Sequence, residues 1–213
     1  NLSVGGPSCA LISRPPNRMH GTNHTTRYGV NQLVVGRFNK EDWLALGADL
    51  LGREGPEALT LDRMSAAADR TRGSFYHHFS SREAFLAGLM DWWRQRATES
   101  LAARVQAAPG PEALRAIMRA VPSEWDAAFE RGIRRLAVSE PVVRDALNSI
   151  DQIRIAGLAA TIALLRPEIE DPHALAFIQY AAVVGGQWLL QSSDDPRIPA
   201  IKRAGDALFG LLN

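Results

Sequence analysis

Apolar residues return along this chain every three or four positions and almost nowhere every second one. That periodicity belongs to helices with one buried face, and it predicts an all-α protein. Trp43, Gly47, Leu50 and Leu51, with Leu44 and Ala48 beside them, mark the apolar face of a first helix from 39 to about 53. Asn39 suits its N-cap, and Gly55 and Pro56 stop it, glycine just past the end and proline soon after. Leu61, Met64 and Ala68 lie at i, i+3 and i+7 of a second helix capped by Thr60. Thr71 caps a third, in which Phe75 and Phe79, four apart, turn inward. Arg72, Gly73, Tyr76 and His77 are then left facing outward, with Ser74 near the edge.

The same spacing continues to the end of the chain. A long helix is expected from 82 to about 108, with Phe85, Leu89, Trp92 and Trp93 inward and Pro109 and Pro111 ending it. Shorter helices follow at 112–120 and 123–138, then a break at Ser139, Glu140 and Pro141, then helices at 142–165, 171–191 and 195–212. The longest apolar run, 174–190, is interrupted by Gln179 and Gln187 and is too short for a confident membrane span. It reads as a buried helix, and no membrane partner is expected.

Composition adds little except through its distribution. The 213 residues are 46% hydrophobic and 22% charged, the balance of a globular protein. Cys9 is the only cysteine, so no intrachain disulfide is possible and a cytoplasmic location is the expectation. The net charge of +1 divides unevenly: residues 1–38 carry +4 from Arg14, Arg18, Arg27 and Arg37 with no acid, and the rest carries −3. This Gly-, Pro- and Asn-rich segment is expected to be a flexible basic arm, unfolded by itself. It either follows phosphates or a minor groove, or is an upstream extension with a natural start near Met19.

The stretch 60–82 carries the chemistry. It reads as two short helices about a tight turn, the second exposing groups that suit the major groove of DNA. Arg72 fits a bidentate contact to a guanine edge, worth roughly 1–3 kcal/mol of base discrimination. Gly73 lets the helix approach closely. Tyr76 and His78 suit phosphates, which fix orientation without reading sequence, and Arg82 reaches another phosphate from the first turn of the next helix. Residues 37–83 hold seven bases against eight acids, so affinity has to come from where charge is placed.

These residues resemble the N-terminal domain of the TetR family of transcriptional regulators. The family pattern falls on Gly73, Ser74, Phe75, Tyr76, His77, His78, Phe79, Ser81, Arg82 and Glu83, and the resemblance covers 39 to about 90. It implies DNA contacts from Thr60, Arg63, Arg72, Ser74, Tyr76, His77, His78 and Arg82, with Thr71 and Gly73 completing the candidate set. The family's Ala-Gly-Val-Ser turn is here Ala68, Asp69, Arg70 and Thr71. Asp69 therefore sits where a left-handed backbone is expected, and the Arg70 stem stands where the family buries an aliphatic side chain. In the other half, 129–165, with Arg134, Arg135, Glu140, Pro141, Asp151 and Arg154, resembles a recurring variant of the family's C-terminal domain.

The resemblance implies three units: a basic arm at 1–38, a helix-turn-helix DNA-binding domain at 39–84, and an effector-binding and dimerisation domain at 85–213. It implies a homodimer through the last two helices on a palindromic operator, and an unidentified small-molecule effector that releases a repressor. Ile178, Ala181, Ala182, Gly185 and Leu189 form one stripe, and Ile198, Ile201, Ala204, Leu208 and Leu211 another; each is either dimer surface or intrachain core. Trp92, Trp93, Trp125, Phe129, Phe177, Tyr180 and Trp188 either line a cavity among the middle helices, anchored by Arg154, Gln179 or Gln187, or simply pack. A ligand-independent regulator with a filled core is the alternative. There is no H-E-x-x-H, paired-cysteine site, G-x-S-x-G or glycine-rich phosphate loop, and His77 and His78 are expected on different helix faces. No catalysis, cofactor or metal is therefore expected.

Overall fold

The computed structural model describes residues 38–124, 126–190 and 195–209, and among these it is helical with no strand. The expected arm and Trp125 lie outside the described residues. The order is α1 (Lys40–Glu54), a 3₁₀ turn (Pro56–Ala58), α2 (Leu61–Ala68), α3 (Arg72–Tyr76), α4 (Arg82–Trp93), a π-helical turn (Arg94–Glu99), α5 (Ser100–Gln106), α6 (Pro111–Glu124), α7 (Ala127–Ser139), α8 (Pro141–Leu165), α9 (Pro172–Leu189) and α10 (Ile198–Phe209).

The first four helices start where their caps dictate. Asn39 closes a capping box with Asp42, and Thr60, Thr71 and Ser81 each accept a backbone N–H three residues on. The single helix expected from 82 to about 108 is interrupted by the π turn, which shifts the helical phase in a way the apolar spacing did not signal. The break expected near Ser123 comes later: α6 runs on to Glu124, and Asp126 caps α7 by accepting from Phe129 N at 3.0 Å.

Trp43, Phe75, Phe79 and Phe85 meet as an aromatic cluster with ring centres 5.1–5.5 Å apart. The core continues without a break through Leu50, Leu89 and Trp93 into Phe129, Ile133, Val143 and Ile150. Each fully buried aromatic there contributes on the order of 2–3 kcal/mol. Two glycines permit this closeness. A Cβ on Gly47 would stand 2.5 Å from the Phe85 ring, and one on Gly132 would stand 2.9 Å from the Leu51 carbonyl oxygen. Helix α1 therefore rests directly on α4 and α7, joining the N-terminal helices to the rest.

The turn between α2 and α3 has the left-handed residue its sequence calls for. Asp69 has φ 51 and ψ 49, and Arg70 N donates to the Ser65 carbonyl at 3.0 Å. Arg70 is exposed, and its guanidinium lies 5.6 Å over the Phe38 ring, so it is the head and not a buried stem that stands where the family has an aliphatic side chain. Asp69→Gly should raise stability by about 0.5–1 kcal/mol, because glycine adopts this backbone without steric cost and the acid opposes the α2 dipole. Urea unfolding checks this, with Asp69→Ala expected to move the midpoint the other way.

Candidate nucleic-acid interface

Helix α3 buries Phe75 and exposes the opposite side. Arg72, Gly73, Tyr76 and His77 are all exposed, Tyr76 at 56%, and Ser74 is half-buried. Nothing but the Thr71 hydroxyl comes within 4 Å of a Cβ placed on Gly73, so this surface is open to a close approach. Thr60 and Thr71 use their oxygens as caps, at 3.2 Å to Arg63 N and 3.3 Å to Ser74 N. Their hydroxyl protons remain available to phosphate.

His78 departs from its expected role. It is half-buried, with Nε2 3.1 Å from the Phe38 carbonyl. A carbonyl needs a donor, so Nε2 carries the proton, and Nδ1 donates to phosphate only in the doubly protonated ring. The His77 and His78 rings also stand edge to face at 4.9 Å, closer than a divergence onto separate faces predicts. Among the described residues no group of three or more His, Cys, Asp or Glu side chains could hold a metal.

The three candidate arginines are all paired within the chain. Arg63 holds Glu54 through Nε at 2.9 Å and a terminal nitrogen at 2.5 Å, Arg72 meets Asp62, and Arg82 meets Glu140 at the start of α8. The Arg63 guanidinium, hydrogen-bonded to Glu54, holds that carboxyl below its ordinary range. Exposed ion pairs of this kind are screened by water and hold weakly, so a phosphate or guanine edge competes on favourable terms. Neither these carboxylates nor Lys40, whose ammonium lies 5.6 Å from the Phe79 ring centre, belonged to the expected set. For Lys40 a signal existed: it opens α1 directly after the cap.

The aromatic residues offered as pocket lining divide between buried and exposed positions. Trp92, Trp93, Phe129 and Tyr180 are buried in packing, while Phe177 and Trp188 are about half exposed. The centre of the body holds a polar network. Arg154 donates to Glu130 at 3.0 Å and to Thr98 in the π turn at 3.1 Å, and Gln187 donates to the other Glu130 oxygen at 3.1 Å. Arg134 grips Asp151 through two bonds of 2.9 Å, and the Tyr180 hydroxyl donates to Asp151 at 2.6 Å. Burial opposes the Arg154 charge, but Glu130 and Tyr180 outweigh it and hold its pKa above the ordinary guanidinium value. Burial also pushes the Tyr180 phenol up to about 12. A cavity of about 380 Å³ does exist, between the end of α1, α7 and the end of α9.

Residues 44–89 match the family pattern described as bacterial regulatory proteins, tetR family. The chain carries a TetR-family N-terminal domain. A comparison with curated proteins found no match. Solved structures of similar fold include one from Saccharomonospora viridis described as a transcriptional regulator in complex with choline. It is 13% identical, with TM-score 0.67, over 80% of this chain and 95% of that one. A TetR transcriptional regulator from Legionella pneumophila has TM-score 0.65 at 16% identity, over 83% and 99% of the two chains. The reduced form of NemR from E. coli has TM-score 0.62 at 20% identity, over 81% and 93%. The TetR-type fold, an N-terminal helix-turn-helix and a helical C-terminal domain, therefore extends well past the 46 residues that carry the family pattern. No helix among the described residues is long and apolar enough to cross a membrane.

Proposed function

We propose that this chain is a homodimeric TetR-family repressor that leaves its operator when a small molecule binds. Residues 39–84 are the DNA-reading head, 85–213 the dimerising and sensing body, and 1–38 a basic arm. One observation carries the reading: α3 lays Arg72, Gly73, Tyr76 and His77 on one open face, braced from behind by a buried aromatic cluster. Thr60, Arg63, Thr71, Ser74, His78 and Arg82 surround that face as positioning contacts. The dimer reading is supported by the stripe on α9. Ile178 is 57% and Leu189 75% exposed, and nothing lies within 4 Å of a Cβ at Gly185. Among the described residues Ile178 and Leu189 are left largely uncovered, which favours the dimer surface over intrachain core. On α10 Ile201 and Ala204 are exposed likewise, while the Leu208 side chain and Leu211 lie outside the described residues.

Selection from random duplexes tests the reading. The expected product is a two-fold related sequence with half-sites about one helical turn apart. A strictly monomeric chain with no preference over competitor DNA sinks it. Within a selected site, Arg72→Ala should relax discrimination at one base position by about 1–3 kcal/mol. Arg82→Ala should weaken all sequences alike and make the salt dependence shallower by about one phosphate. Equal losses on all sequences for Arg72→Ala would remove its reading role.

A further inference from the structure

The cavity between α1, α7 and α9 has an unbalanced wall. Arg53, Arg131 and Arg135 line it, against one carboxylate, Glu54, whose two oxygens are both held by Arg63. Arg53 leans away to Asp49 and Arg135 to Glu57 at the rim, each leaving guanidinium N–H groups unused. Arg131 is the telling one. It is half-buried and makes no ion pair among the described residues; its one bond runs to the Gln187 carbonyl at 2.9 Å. A guanidinium withdrawn from water without a counter-ion is costly, and proteins ordinarily pair it. Gln187, 7% exposed, lines the same space, with Oε1 making no hydrogen bond. Leu51, Ala128 and the half-exposed Trp188 supply the apolar remainder.

We infer that this cleft binds a small organic anion. Its carboxylate or phosphate takes Arg131 and Arg135, and a planar apolar part lies against Trp188 and Leu51. The volume of about 380 Å³ falls at the lower end of the range for small-molecule sites. The negative pole of the α1 C-terminus works against an anion, but it is a partial charge against the whole charge of Arg131, which no carboxylate among the described residues pairs. Lengthwise, the site has a consequence. It touches α1 on one side and α7 and α9 on the other, so its occupant changes how the N-terminal helices seat on the body. On the repressor reading above, on which this regulatory half rests, operator and anion then alter each other's affinity by one common factor.

Titration of the full chain with benzoate, phenyl phosphate, benzamidine and benzyl alcohol at fixed ionic strength tests the site by calorimetry. Benzoate or phenyl phosphate should bind saturably, once per chain, about tenfold or more tighter than the cation or the alcohol. Arg131→Gln should weaken that binding about tenfold, and Ala128→Leu, which fills the space on α7, should abolish it with the helical spectrum intact. The proposal falls if neither anion binds, if benzamidine binds as well, or if binding survives both substitutions. It falls also if Arg131→Gln loosens the dimer while no anion binds, which would give Arg131 to a copy–copy contact. A gel shift run alongside separates the two readings. Anion binding without any duplex binding keeps the site and ends the repressor; duplex binding without anion binding does the reverse.

Discussion

Replacing Arg154 with methionine should cost about 3–5 kcal/mol of unfolding free energy. Its side chain is 6% exposed and that of its partner Glu130 3%, so removing the cation strands a carboxylate in the interior with one donor left, Gln187 at 3.1 Å. The lost attraction is not the main term, since desolvation of both charges offsets most of it in the wild type. The main term is the uncompensated charge. The double substitution Arg154→Met with Glu130→Met should therefore recover most of the loss. The residue that stays lost is the bond from Arg154 to Thr98, which fixes the π turn to α8, and the contact of the guanidinium 4.7 Å over the Trp93 ring. Urea unfolding at one fixed protein concentration measures the cycle, because dimerisation would add its own dependence. A single-variant cost below about 1 kcal/mol would mean that water reaches Glu130 and the network is not buried.

The head could be read from the sequence because everything that shapes it is local. The caps Asn39, Thr60, Thr71 and Ser81 act on N–H groups two or three residues away, and Phe75 and Phe79 face inward because four residues make one helical turn. Asp69 was legible through the resemblance, since it stands where the family's turn has glycine, and it takes the left-handed backbone. What escaped depends on distance along the chain. Arg82 meets Glu140 across 58 residues and Arg154 meets Thr98 across 56, and spacing does not encode such pairs. The cavity escaped for another reason. Aromatic residues at helical intervals mark what fills space, as Trp93 and Phe129 do with rings 5.7 Å apart, whereas this cavity depends on how α1, α7 and the end of α9 seat against one another, which spacing along one helix does not encode. The bond of His78 Nε2 to a backbone carbonyl forty residues upstream escaped for the same reason of distance.

The α9 stripe leads to the second large effect, on DNA rather than on folding. If the chain is the homodimer proposed above, Ile178→Glu with Leu189→Glu should give monomers and lower operator affinity about a hundredfold or more. Both side chains project from the fold, at 57% and 75% exposure, so the substitutions remove little intrachain packing and the monomer should keep its helical content. The loss at the operator comes from geometry. One head bound to a half-site holds its partner near the other half-site at an effective concentration in the millimolar range, and that gain disappears when the heads part. Each half-site contact is unchanged, so affinity for an isolated half-site should fall little. That contrast separates loss of pairing from damage to α3. Sedimentation at several concentrations gives the assembly state, and titration on full and half operators gives the two affinities. A variant that remains dimeric would move the interface off α9; a monomer binding the full operator as tightly as wild type would mean that a single head does all the reading.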